Sequence, residues 1–352
     1  MKKEISYYKH SICMFAIFLF GNLLIAFPKG ENTDQAVFGV IANLGIGVAL
    51  SFLFCFLQKN GMFDLMVFEP KPLKITFIAL ILTLSVISFL ISCKDYVVLI
   101  DKVRLPNTSP VVIAVIFLFL AYLLAQADKK LIFLFSLTGL IFAAISFTVL
   151  FLLSIPNMEL RLFTQNLRFV PKGFLKQTLT FFIHSVGQVV IAAFFIGNLT
   201  DKKEARRIYL LGTLMGGLVL LVCILNIVLV LGTNVVGATD YPYATVTSMI
   251  MLGKSYSRMD GFTYYIYFFA SLIKASVILK VILSICKKIS SVFKKIMLAL
   301  VLVAGVTFSS FNTLHDVLES KQINFVLLIL EIAVILLLSV TVFIKRKGKV
   351  NC

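Results

Sequence analysis

The sequence has no CxxC pair, and its six cysteines (Cys13, Cys55, Cys93, Cys223, Cys286 and Cys352) are scattered, mostly inside or beside apolar runs. Neither a disulfide framework nor a metal site is indicated. The three histidines lack the HExxH-like spacing of a zinc site. No glycine-rich phosphate loop of the Walker type occurs, so nothing points to nucleotide as a power source. No nucleophile–base constellation is visible, which makes an enzyme the least favoured class and calls for no cofactor. Charge is scarce as well: only 14% of the 352 residues carry it. The net charge of +17 raises the question of nucleic acid. The basic residues, however, fall in short clusters between apolar runs and form no nucleic-acid-reading motif, so no such partner is expected.

What the chain does have is hydrophobicity. It is 60% hydrophobic, with a mean hydropathy of +1.02. That is more apolar surface than a soluble domain can hide, so the class is an all-α polytopic membrane protein with a single integral membrane domain over 1–352. The basic N-terminus is followed by no small-residue cleavage pattern, and the first apolar run therefore reads as a span rather than a signal peptide. At about 20 residues per span, ten candidates emerge: 11–28, 36–57, 75–100, 109–127, 131–154, 174–199, 207–232, 261–286, 296–312 and 324–344. With a cytoplasmic N-terminus, the inside connections hold twenty Lys and Arg residues and the outside ones eleven, while Lys274 and Lys280 lie within a span. The positive-inside rule then puts both termini in the cytoplasm.

The two halves carry a common pattern. Span one contains "FGNLLIAF" (Phe20–Phe27) and span six "VGQVVIAAF" (Val186–Phe194). Aligned at glycine, Gly21, Asn22, Ile25 and Ala26 match Gly187, Gln188, Ile191 and Ala192. The copies lie five spans apart and so run in opposite directions, as in an inverted repeat of 11–154 on 174–344. In each, a glycine and a carboxamide interrupt an apolar helix. Glycine weakens a helix by about 1 kcal/mol relative to alanine, and backbone groups freed in mid-membrane must find partners. A half-helix N-terminus also suits a carboxylate. Candidate ligand contacts on these spans are Gly21, Asn22, Leu23, Ser185, Gly187 and Gln188. The plain alternative is that both glycines only permit close helix packing.

Charges inside spans point to the same region. Lys274 lies near the centre of span eight, where an ammonium costs about 3 kcal/mol on insertion scales. Ser271 and Tyr267, three and seven residues earlier, share its helical face. The functional reading gives the ammonium the place of a coupling cation, joining span eight to span one; the plain one is a structural lysine on a carbonyl. Lys280, near the cytoplasmic end, is expected to snorkel. Glu331 lies midway along span ten with no partner legible in the sequence, and His184 and Gln188 bracket the span-six interruption.

Between spans seven and eight, "TDYPYATVTSMIMLGKSYSRMD" (Thr239–Asp260) reads as a short helix on the outer face. Asp240 is expected to cap it, Pro242 to occupy its first turn and Gly253 to end it. Asp260 is then expected to cap span eight.

Together these residues resemble the B-subunit of spore germinant receptors, the endospore germination permease family of the amino acid–polyamine–cation superfamily. The resemblance rests on Gly21, Leu23 or Leu24 and Pro28 in span one, on the Pro-led outer helix ending in Arg258, Met259 and Asp260, and on "SLIKASVIL" around Lys274. It covers nearly the whole chain in order and spacing. One departure is Gln188, where family members often carry an acid. The resemblance implies a LeuT-like five-plus-five fold with spans one and six broken, and a lid helix within 239–260 in which Pro242, Arg258 and Asp260 form an outer gate. It also implies a small germinant of the amino-acid class, an A-subunit and a lipoprotein C-subunit as partners, and the spore inner membrane as location. A nutrient sensor, an amino-acid transporter and a structural subunit with a vestigial pocket all share this pattern.

Overall fold

The computed structural model describes residues 2–21, 35–63, 71–164, 169–197, 202–239, 241–252, 255–256, 259–311, 314, 317–318 and 320–350. The chain is built of helices, as backbone that must satisfy its own hydrogen bonds in hydrocarbon requires. Eight helical segments are long and apolar enough to cross a membrane, and two shorter apolar ones, His10–Phe20 and Pro110–Gln126, stand at the places of spans one and four. In order, the helices are α1 (Lys2–Phe20), α2 (Ala36–Lys59), α3 (Lys71–Leu99), α4 (Pro110–Gln126), α5 (Lys129–Ser154) and α6 (Leu160–Thr164). They continue as α7 (Pro171–Phe181), α8 (Val189–Gly197), α9 (Lys202–Ala238), α10 (Pro242–Ser248), α11 (Asp260–Ile289), α12 (Ser291–Ser310) and α13 (Lys321–Val350).

Two elements form the centre. In both the α7–α8 segment and α11, 78% of the most apolar stretch is buried, against 11% in α12. The periphery presents hydrocarbon outward: along α4, Val111, Val112, Val115, Ile116, Phe119 and Leu123 are all exposed, at the spacing of one helical face. Inside the protein, small residues let helices approach. A side chain on Gly216 of α9 would stand 2.7 Å from the backbone oxygen of Ala16, and one on Gly212 would stand 2.8 Å from the Phe15 ring. Hydroxyls and amides fasten α9 to α2. Ser51 Oγ and Thr213 Oγ1 are 2.8 Å apart, and Tyr209 donates to Gln58 Oε1 at 2.6 Å.

The helix contacts follow a pattern. α1 packs on α9 and α7 on α2; α3 on α12 and α11 on α4; α3 on α13 and α11 on α5. α1 packs on α5, and the turn after α7 packs on α13. α2–α9, α3–α11 and α4–α12 pair directly. Exchanging each span with the one five places along leaves this set of pairs unchanged.

Several sequence expectations need correction. Lys94, counted with the outer connections, lies in α3, 4% exposed, with its Nζ 3.2 Å from Asp95 Oδ1. Its removal from the outer count widens the positive-inside asymmetry. Lys280 reaches the connection that follows α4. Its ammonium donates to the carbonyls of Ala125 (3.0 Å) and Ala127, at the end of α4, where a helix presents partial negative charge.

The outer helix is shorter than expected. α10 ends at Ser248, and a two-residue antiparallel pair follows, Met251 opposite Tyr256 and Leu252 opposite Ser255. Its hydroxyls bond back to its own carbonyls, Thr245 to Tyr241, Thr247 to Ala244 and Ser248 to Thr245, a competition that disfavours helix continuation. Tyr241 precedes α10 without a side-chain cap; Asp240 and Gly253 lie outside the described residues. Asp260 is the first residue of α11 rather than its cap, which Met259 provides without a side-chain bond. Its charge still favours that helix N-terminus.

α9 is interrupted at Gly232, whose φ of 72° and ψ of 158° belong to a region essentially reserved for glycine. Gly232→Ala is expected to destabilise the protein by about 1–3 kcal/mol, read as a lower unfolding temperature of the purified protein. An unchanged temperature would show that the kink relaxes freely.

Candidate functional site

The interruption in span six is where glycine and carboxamide predict it. α7 runs into a π turn (Phe182–Val186), closed by Gly187 N on Phe182 O at 2.8 Å. Gly187 and Gln188 then form a turn before α8 begins at Val189. Such turns inside helices free backbone groups and recur at functional sites. In span one, α1 ends at Phe20, and Gly21 stands in a turn. Asn22, Leu23, Leu24 and Pro28 lie outside the described residues, as does Arg258.

The described end of span one meets the span-six interruption. Ser185 donates its hydroxyl to the carbonyl of Leu19 at 2.6 Å, across a separation of 166 residues. Gly21 and Gly187 differ by the same number, so this bond joins positions that the alignment makes equivalent. Beside it is a void of ≈ 10 Å³, the lower limit for one water.

Lys274 is wholly buried against this crossing. Its Nζ donates to the carbonyl of His184, in the π turn, at 3.2 Å. It also lies 5.3 Å from the centroid of the Phe18 ring of α1, within cation–π range. The lysine thus bridges α11 to spans one and six, with its hydrogen bond going to span six rather than span one. Asp95 of α3 and Glu331 of α13 lie close enough to act on it electrostatically.

Glu331 has an unusual seat. A side-chain carbon on Gly187 would fall 1.9 Å from Glu331 Oε2 and 2.3 Å from Cδ. The carboxylate occupies the space that only glycine leaves open. Both its oxygens are buried and carry no hydrogen bond among the described residues, and the same holds for both amide atoms of Gln188. The hydroxyls of Tyr267 and Ser271, on the Lys274 face of α11, are equally unsatisfied. So are Ser85 and Ser88 of α3. Buried polar atoms normally have partners, and a cluster that lacks them calls for an explanation such as a ligand, ion or water.

The polar face of α11 continues to α10. Thr263 Oγ1 donates to Thr247 Oγ1 of α10 at 3.0 Å. Pro242 opens α10 and is buried. Gly21 packs on α11: a Cβ there would lie 3.2 Å from the carbonyl oxygen of Ala270. Among the described residues, no cluster of His, Cys, Asp and Glu has the makings of a metal site.

Sequence reading missed the contribution of α3. Ser85, Ser88 and Ser92 recur at helical spacing within an apolar run and are all fully buried, and Lys94 and Asp95 follow two and three residues later. That periodic serine stripe was the available signal.

Interrupted helices, a buried polar interior and an apolar outer belt define a polytopic membrane protein. Among known proteins, the chain matches no family model and no curated sequence.

Proposed function

We propose that this chain is the nutrient-sensing subunit of a spore germinant receptor, in which a small germinant of the amino-acid class binds between the interrupted spans. The observation that carries the reading is the meeting of the span-six turn with the described end of span one, through Ser185 and Leu19, beside a buried lysine and unsatisfied polar groups. Such an arrangement offers cationic and hydrogen-bonding groups to a carboxylate in a place screened from water. The five-place regularity of the helix contacts supports a LeuT-like inverted repeat of two five-helix units. The described part of 239–260 supports a lid, since α10 is tied to the polar face of α11 through Thr247 and Thr263.

In this reading ligand binding biases a complex with an A-subunit and a lipoprotein C-subunit in the spore inner membrane. A hundredfold difference in affinity between the two states of that complex is worth about 2.7 kcal/mol. Amino-acid binding and uptake by the purified protein in liposomes test it. Saturable binding without accumulation is the expected result; accumulation inside the vesicles would make the protein a transporter of the same superfamily. Gly21→Leu is expected to abolish binding. Its Cβ would already sit 3.0 Å from Ile17 O and 3.2 Å from Ala270 O, so a leucine forces α1 and α11 apart. Undiminished affinity in a folded Gly21→Leu protein would remove the crossing from the site.

A further inference from the structure

Away from the crossing, α5 and α9 part around a crevice of ≈ 340 Å³, within the size range of ligand sites. Its mouth is formed by Ala144, Thr148 and Leu152 of α5 and by Leu218 and Val222 of α9, all exposed. These residues lie within membrane-spanning segments, so the mouth opens on hydrocarbon. Its floor is buried and includes Phe147, Cys223, Asn226 and Tyr243. The crevice is graded along its length. Leu218 and Val222 lie toward the middle of α9, whereas Asn226 and the α10 residue Tyr243 stand at the end nearest the connection between spans seven and eight.

That polar end has hydrogen-bonding capacity to spare. Asn226 Oδ1 accepts from Ser154 Oγ at 3.0 Å. Its NH₂ group and the hydroxyl of Tyr243 make no hydrogen bond with any described residue. The crevice therefore pairs a hydrocarbon slot, open sideways to the bilayer, with two donors at its interfacial end. A bilayer glycerolipid has the matching layout: an ester carbonyl at the interface and an acyl chain running inward. An apolar slot beside bilayer hydrocarbon gains dispersion contacts when a chain enters it.

We infer that this crevice holds one acyl chain of a bilayer glycerolipid, with the ester carbonyl at Asn226 and Tyr243 and the chain between α5 and α9. The site is coupled to the crossing. The Phe147 ring in its floor lies 5.5 Å from Tyr243 of α10 and 6.2 Å from Phe20, the last residue of α1. A bound chain braces Phe147 against both. The inference does not depend on what the crossing binds.

The test uses the full chain in phosphatidylglycerol nanodiscs doped with a phosphatidylglycerol carrying a diazirine in one acyl chain. After photolysis, adducts are expected to concentrate on residues 144–152 and 218–226 rather than spread around the apolar belt. Ala144→Phe, which puts a ring into the mouth, is expected to lower those adducts about tenfold, the equivalent of about 1.4 kcal/mol of lost binding. Val222→Phe does the same from the other wall and serves if the first variant folds poorly. Labelling of exposed α4 residues such as Phe119 is expected to stay constant. Even labelling around the belt, or crevice adducts unchanged in a folded blocking variant, would overturn the inference.

Discussion

Gly187→Ala is expected to destabilise the protein by about 1–3 kcal/mol, the usual cost of overpacking a filled interior. Removing the Glu331 side chain in the same protein is expected to recover most of that loss. The added methyl lands 1.9 Å from Glu331 Oε2, well inside contact distance. Glu331 is fully buried on α13, so its carboxylate cannot swing into water; it moves within the interior or pushes α13 from the turn after α7. With Glu331→Ala the obstruction is gone, and alanine at 187 has room. Unfolding temperatures of the four proteins close a double-mutant cycle, and a coupling of at least about 1 kcal/mol is expected for groups in direct contact. Additive effects would mean that the carboxylate does not rest on Gly187.

Lys274→Ala is expected to cost more, about 3–5 kcal/mol, the range for breaking up a buried charge cluster from one side. The substitution deletes the donor to the His184 carbonyl and the positive charge that acts on Glu331 and Asp95. Glu331 is then left in the interior without a cationic neighbour. Adding Glu331→Gln replaces the acid by a neutral group of the same shape and is expected to restore much of the stability. Loss of ligand binding from Lys274→Ala alone would not separate a role in the site from unfolding. The informative protein is therefore Lys274→Ala/Glu331→Gln. If it is folded and fails to bind, Lys274 acts on the ligand. If it binds like the wild type, the lysine is a structural strut between α11 and the π turn.

Bilayer-spanning length and apolarity are properties of one segment at a time, and the sequence carried them well. Among the described residues each of the ten apolar runs contains an apolar helix, eight of them long enough to cross a membrane, and the glycine–carboxamide pair of span six falls on the turn at Gly187 and Gln188. Lys274 was legible as a buried charge because an ammonium amid apolar residues is rare in any span. The end of the outer helix was less legible. Its hydroxyls had to choose between solvent and their own carbonyls, and a helix former such as Met249 could not reveal that choice.

By itself, then, the sequence determined the class of the protein, the places of its helices and the one span-six interruption that the structure describes, because hydrocarbon imposes those costs locally on each segment. Only the tertiary structure decided which polar groups meet. Glu331 resting on Gly187, Ser185 on the Leu19 carbonyl and Lys274 on the His184 carbonyl all depend on how similar apolar helices rotate and pack against each other. That packing is set by small residues and shape at distant points of the chain, and no local pattern encodes it.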